Sequence, residues 1–163
     1  MSMPAEILSP NVTLDQLLKG LADAPALPLG GISSDSRQVG KGDVFIAIQG
    51  GTSHGLDFLD QAIDAGVAAV VWDSSTGEAR SADIPMIAVS GLATHLGTIA
   101  NRFFDTPSKR IKVSGVTGTN GKTTVAYLIM QCLRLQGQRC AYIGTLGAGI
   151  DEISDPGDVT TPA

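Results

Sequence analysis

Gly115-Val116-Thr117-Gly118-Thr119-Asn120-Gly121-Lys122-Thr123-Thr124 reads as a phosphate-binding turn. A short apolar run, Ile111 to Val113, precedes it, and an apolar-periodic run, Val125 to Leu135, follows. Strand, glycine-rich turn and helix in that order form a phosphate cradle. The glycines let backbone N–H groups face a polyphosphate, and the helix N-terminus adds partial positive charge. Lys122 has the reach for the outer phosphates, and the Thr123 hydroxyl can hold Mg2+. The common spacing G-x-x-x-x-G-K-[ST] would put glycine at position 116. This chain has Val116 there, with glycines at Gly115, Gly118 and Gly121, so the loop is a variant.

Outward from this turn, the spacing predicts a helix over Thr123 to Gln136, ended by Gly137, and a strand over Cys140 to Gly144. Ile111 to Ser114 is the expected strand before the turn, and Gly147 to Val159 reads as irregular. Asp105-Thr106-Pro107-Ser108 marks a boundary, giving expected domains of residues 1–107 and 108–163. In the first, Thr13 to Leu21 has leucines at helical spacing behind a capping-box pair, Thr13 and Gln16. Strands are expected at Ile32 to Ser36, Asp43 to Ile48, Val67 to Trp72 and Pro85 to Val89. Helices are expected at Asp57 to Ala65, with Phe58, Leu59, Ala62 and Ile63 inward, and at Leu92 to Phe104. Both faces of the strand at Asp43 to Ile48 are apolar, which predicts cover on both sides, as in a parallel sheet. The expected class is α/β: a small α/β domain, then the start of a phosphate-loop domain built on a parallel sheet. With so little sheet after the turn, the second domain reads as cut short.

Composition bounds the function. Of 163 residues, 43% are hydrophobic and 17% charged, enough for a packed core. The net charge of −5 argues against a general nucleic-acid binder, which needs a basic face. A small anionic nucleotide remains compatible, because the turn supplies local positive potential. Neither a basic leader nor a membrane-length apolar run is present, so a cytoplasmic protein without membrane contact is expected; a monomer is a separate expectation. Cys132 and Cys140 are expected to be buried, as is Trp72. His95 reads as a surface or packing residue, whereas His54, in the loop Gly50 to Gly55, is placed to touch a ligand. Ser34-Asp35-Ser36-Arg37 offers hydroxyls, a carboxylate and a guanidinium at a strand end, a pattern that suits a polar ligand or a solvated turn.

Taken together, these blocks resemble the Mur ligases of bacterial cell-wall synthesis, and among them the MurE type. Ser34 to Arg37, Gly42 to Ala47 with Gly50 and Gly55, Gly115 to Thr124, and Thr160-Thr161-Pro162 carry the likeness, in the family's order. The phosphate-turn block is also found in the related folylpolyglutamate synthetases. Val159 stands where the family often has a polar residue such as Asn. The resemblance implies an ATP-dependent ligase that adds an amino acid, meso-diaminopimelate or L-lysine, to UDP-N-acetylmuramoyl-L-Ala-D-Glu through an acyl phosphate. It implies that Gly118, Thr119, Asn120, Gly121, Lys122, Thr123 and Thr124 hold ATP, with Lys122 catalytic and Thr123 beside Mg2+. Ser34, Ser36, Gly51, Thr52 and Ser53 would contact the UDP-sugar, and Thr160 and Thr161 the muramoyl-peptide portion. The segment by itself is expected to be inactive. The alternatives are a stand-alone UDP-sugar- or nucleotide-binding module, or another ligase of the Mur or folylpolyglutamate synthetase type.

Overall fold

Val44-Phe45-Ile46-Ala47 is apolar at every position, and alternate side chains of a strand point to opposite faces. Strand β2 (Val44–Ala47) is buried at all four. Val44 and Ile46 enter one core cluster, Phe45 and Ala47 another. β2 therefore lies inside a sheet covered on both sides. The computed structural model describes residues 12–78 and 80–153. Among them the chain divides into two compact units after Ile111.

The first unit holds a four-stranded sheet, β1 (Ile32–Ser33), β2, β3 (Ala69–Asp73) and β4 (Met86–Val89), in that spatial order. All three ladders are parallel, with Val44 opposite Ala69 and Val70 opposite Met86. On one face Val44, Ile46, Ala69 and Val71 pack under α1 (Leu14–Leu17) and α3 (Leu92–Phe103). On the other, Phe45, Ala47, Val70 and Trp72 pack under α2 (Leu59–Asp64) and the 3-10 turn before it, Gly55–Phe58.

Helix α1 begins where the capping pair predicts, and the Thr13 N–H donates to Gln16 Oε1 at 3.4 Å. It stops earlier than the leucine spacing suggests. Gly20 takes a left-handed φ of 76°, so Leu21 lies on a turn, its N–H on the Leu18 carbonyl. Phe58 also departs from expectation. It ends a 3-10 turn, whose three-residue period leaves it off the inward stripe of α2, and it is 44% exposed. Along α3, Leu92, Ile99 and Phe103 are buried and Leu96 packs beside them. Arg102 on α3 donates through Nη1 to the Leu17 carbonyl at 2.8 Å, closing the C-terminus of α1.

In the second unit, α4 (Lys122–Leu135) follows the glycine turn. Its end is a Schellman motif around Gly137, φ 73°: Gly137 N–H bonds the Arg134 carbonyl and Gln138 N–H the Leu133 carbonyl. β5 (Ala141–Gly144) pairs antiparallel with β6 (Gly147–Ile150) across the two-residue turn Thr145-Leu146. The strand expected at Ile111 to Ser114 does not form. A strand needs a ladder partner, β5–β6 is the only ladder of this unit among the described residues, and Ile111 and Val113 are 63% and 71% exposed. Met130 and Tyr142 are its buried hydrophobics among the described residues, while Val125, Leu128 and Leu135 on α4 stay exposed. Cys132 is accordingly exposed and Cys140 half-buried, correcting the expectation that both are buried.

Candidate functional site

The glycine turn Gly115 to Gly121 sits directly on the N-terminus of α4. Gly118 has φ 144° and Gly121 φ 76°, conformations that side-chain-bearing residues avoid. Gly121 is the N-cap, and its carbonyl takes the Val125 N–H at 2.9 Å. The 14-residue helix thus aims its free N–H groups and positive dipole end at the turn. Lys122 folds back: Nζ donates to the Gly118 carbonyl at 2.7 Å and reaches the Thr119 carbonyl at 3.4 Å. Both contacts are exposed, to neutral carbonyl oxygens that an anionic phosphate oxygen can replace as the partner of the ammonium. Thr123 Oγ1 lies 2.6 Å from the Thr145 hydroxyl in the β5–β6 turn. No local sequence signal marks Thr145 as its partner, because 22 residues separate the two.

The donor set suits a nucleotide carrying its own Mg2+. Among the described residues no cluster of three His, Cys, Asp or Glu could hold a metal alone. A hydroxyl next to an ammonium at a helix N-terminus instead fits a cation already shared with phosphates. Gly118 to Thr124, all assigned to one site from the sequence, are adjacent on this turn and its helix.

The other expected contacts lie in the first unit. Ser34 follows β1, and the loop from Ile48 follows β2. Because β1 and β2 are parallel, both segments leave the same carboxyl edge, where open α/β sheets take ligands. Gln49 bridges His54, and Gly50 N–H bonds the Ser53 carbonyl at 2.9 Å, forming a tight turn with Gly51 and Thr52 exposed at its tip. Ser34 is exposed. Ser36 is buried, its hydroxyl donating to Gln61 Oε1 on α2 at 2.9 Å; its oxygen can still accept. Thr160 and Thr161 lie outside the described residues.

Between these, Asp35 accepts from Arg37 Nε at 2.9 Å, Nη2 at 2.8 Å and its backbone N–H at 3.0 Å. The Arg37 guanidinium lowers the Asp35 carboxyl to about 2. Sequence reading missed Asp73 at the end of β3. It is 3% exposed and accepts from Ser75 Oγ at 2.6 Å, Ser75 N–H at 3.0 Å, Gly91 N–H at 3.0 Å and Ala93 N–H at 3.4 Å. It holds the start of α3 against the sheet edge from 18 and 20 residues away. Burial opposes its charge, but the bonds from Ser75, Ala93 and Gly91 outweigh burial and hold its carboxyl below the usual range.

Both carboxyls are depressed in the folded chain, so in acid the unfolded chain binds more protons. Their stabilisation is complete above the unfolded carboxylate value of about 4 and is lost as pH falls through the folded values. The melting temperature is therefore expected to drop between about pH 4 and pH 2. In the Asp73→Asn variant the drop should be shallower; an equal slope in both would remove Asp73 from this role.

No described helix is long and apolar enough to cross a membrane. Residues 28–104 match the model of the Mur ligase family, catalytic domain, and residues 116–163 match the Mur ligase middle domain. The UDP-N-acetylmuramoyl-L-alanyl-D-glutamate--2,6-diaminopimelate ligase of Alkalilimnicola ehrlichii is 42% identical over 159 residues, covering 92% of this chain and 32% of that protein. The Pseudomonas aeruginosa protein of the same name is 44% identical over 132 residues, 80% of this chain and 27% of that one. A solved structure of a ligase of that name superposes with TM-score 0.65 at 30% identity, covering 90% of this chain and 30% of the other. The crystal structure of MurF ligase from Thermotoga maritima in complex with ADP gives TM-score 0.50 at 26% identity, over 64% and 23%. The chain spans about 30% of the length of the curated relatives it matches.

Proposed function

Because this chain belongs to the Mur ligase family, we propose that it carries the UDP-sugar-binding domain and the ATP loop of a cytoplasmic, monomeric amide ligase. Its substrates are UDP-N-acetylmuramoyl-L-Ala-D-Glu, ATP and 2,6-diaminopimelate, the last supported by the names of the relatives at 42% and 44% identity. Residues 1–107 would serve the UDP-sugar and residues 108–163 would begin the nucleotide domain. The observation that carries this reading is Lys122 and Thr123 on the helix-capping turn of α4.

In the reaction the γ-phosphoryl group passes to the substrate carboxylate, giving an acyl phosphate. The amine of the incoming amino acid attacks, and phosphate leaves. Negative charge builds in both steps, and fixed cationic and N–H donors lower that barrier most. Lys122 would exchange its two carbonyl contacts for the outer phosphate oxygens. The N–H groups of α4 would face the inner phosphates, and the Thr123 hydroxyl would hold Mg2+, which neutralises phosphate charge when bound. Gly51, Thr52 and Ser53 would embrace the UDP-sugar at the carboxyl edge of the first sheet, with Ser34 and Ser36 beside β1.

The test is ligation by the full-length ligase carrying this segment, supplied with UDP-N-acetylmuramoyl-L-Ala-D-Glu and ATP. Diaminopimelate should yield the tripeptide product and stoichiometric ADP. Product with L-lysine alone overturns the amino-acid assignment, and no ADP release with either overturns the ligase.

A further inference from the structure

His54 looks from the sequence like a ligand contact, but the structure turns both its ring nitrogens onto the protein. Nδ1 accepts the Leu56 N–H at 3.0 Å, and Nε2 lies 3.3 Å from the Thr76 hydroxyl. With Nδ1 accepting, a neutral ring carries its proton on Nε2 and donates it to Thr76. The His54 N–H donates to Asp57 Oδ2 at 3.1 Å. Arg80, also on the β3–β4 connection, donates to the Leu56 carbonyl at 2.7 Å and to Asp57 Oδ1 at 3.1 Å. Between these contacts the chain packs without slack. A Cβ on Gly77 would meet His54 Cε1 at 2.8 Å, and one on Gly55 would meet Ala47 Cα at 2.6 Å.

We propose that His54, Thr76 and Arg80 form a clasp that fixes the glycine turn Gly50 to Ser53 in its binding shape, with His54 as a positioning residue for the UDP-sugar. His54 is the residue that pairs with Gln49 across this turn, so whatever anchors His54 anchors the exit of the turn. Within the turn itself the Gly50 N–H bond to the Ser53 carbonyl is the backbone closure. A turn opening on two glycines otherwise samples many conformations, and ordering it on binding costs affinity. The clasp draws on residues 22 to 24 positions away, which makes the turn's shape depend on the β3–β4 connection rather than on its own sequence.

The inference rests on the reading that Gly51, Thr52 and Ser53 contact the UDP-sugar, and titration calorimetry separates the two. The 163-residue chain is titrated with UDP-N-acetylmuramoyl-L-Ala-D-Glu. His54→Ala is expected to raise Kd about tenfold, the loss of one helix-capping interaction plus turn order. His54→Asn, whose side-chain oxygen can take the Leu56 N–H, should recover most of it. Arg80→Gln and Thr76→Val keep the idea testable if His54→Ala fails to fold, and each should weaken binding severalfold. Binding by the parent chain with unchanged Kd in all variants overturns the clasp. Absence of binding by the parent chain overturns the substrate reading and the clasp with it.

Discussion

Lys122→Ala in the full-length ligase is expected to cut ATP-dependent ligation by about two to three orders of magnitude, the usual loss when one charge-stabilising donor leaves a transition state. UDP-sugar binding should stay within twofold of the parent. The two effects separate because Lys122 belongs to the second unit, whereas Ser34, Ser36 and the Gly51–Ser53 turn belong to the first. Lys122→Arg is a sharper probe. It keeps the charge but replaces a compact ammonium by a planar fork on a longer side chain, and should recover only part of the lost rate. Single-turnover formation of ADP, compared with calorimetric titration by the UDP-sugar, reads both quantities. Turnover unchanged in Lys122→Ala would remove the turn from the mechanism.

Phe45→Ala is the second large effect. Phe45 is fully buried at the centre of the sheet, opposite Val70 and in one cluster with Trp72. Truncating such a ring leaves a cavity and costs about 3–5 kcal/mol, a large part of the roughly 5–15 kcal/mol that holds a domain together. Phe58→Ala, at a side chain 44% exposed, should cost within about 0.5 kcal/mol. Urea unfolding followed by Trp72, the only tryptophan, reports from the cluster itself. Equal midpoints for the two variants would contradict the packing described for α2 and its preceding turn.

The contrast between these phenylalanines marks where sequence stops predicting. β2 and β3 up to Trp72 were legible because both faces are covered, so their residues are apolar on either side and any register looks like core. The amphipathic stripe of α3 and the glycine end of α4 were legible for the same local reason, a period and a stop. Phe58 was misread because a 3-10 turn shifts the angular phase of the residues after it, and periodicity carries no sign of that shift. β6 was missed because Gly147, Ala148 and Gly149 have little strand propensity and gain order only by pairing with β5. At the site, Lys122 and Thr123 were legible because their chemistry lies in consecutive residues. Asp73, Gln61 and Thr145 were not, since each acts on a partner 18 to 25 residues away.

Strand order in the first unit follows chain order. The cluster around Phe45 draws on residues no later than Met86, so one face of the sheet can close once β4 has paired. The cluster around Val44 waits for Leu92, Ile99 and Phe103, and Arg102 reaches the Leu17 carbonyl across 85 residues. During synthesis from the N-terminus, the leucines of α1 therefore emerge early but cannot complete their cluster until α3 has been made. In the folded unit α3 thus closes a face whose other half was synthesised about 75 to 85 residues before it, a long-range closure on which the burial of α1 depends.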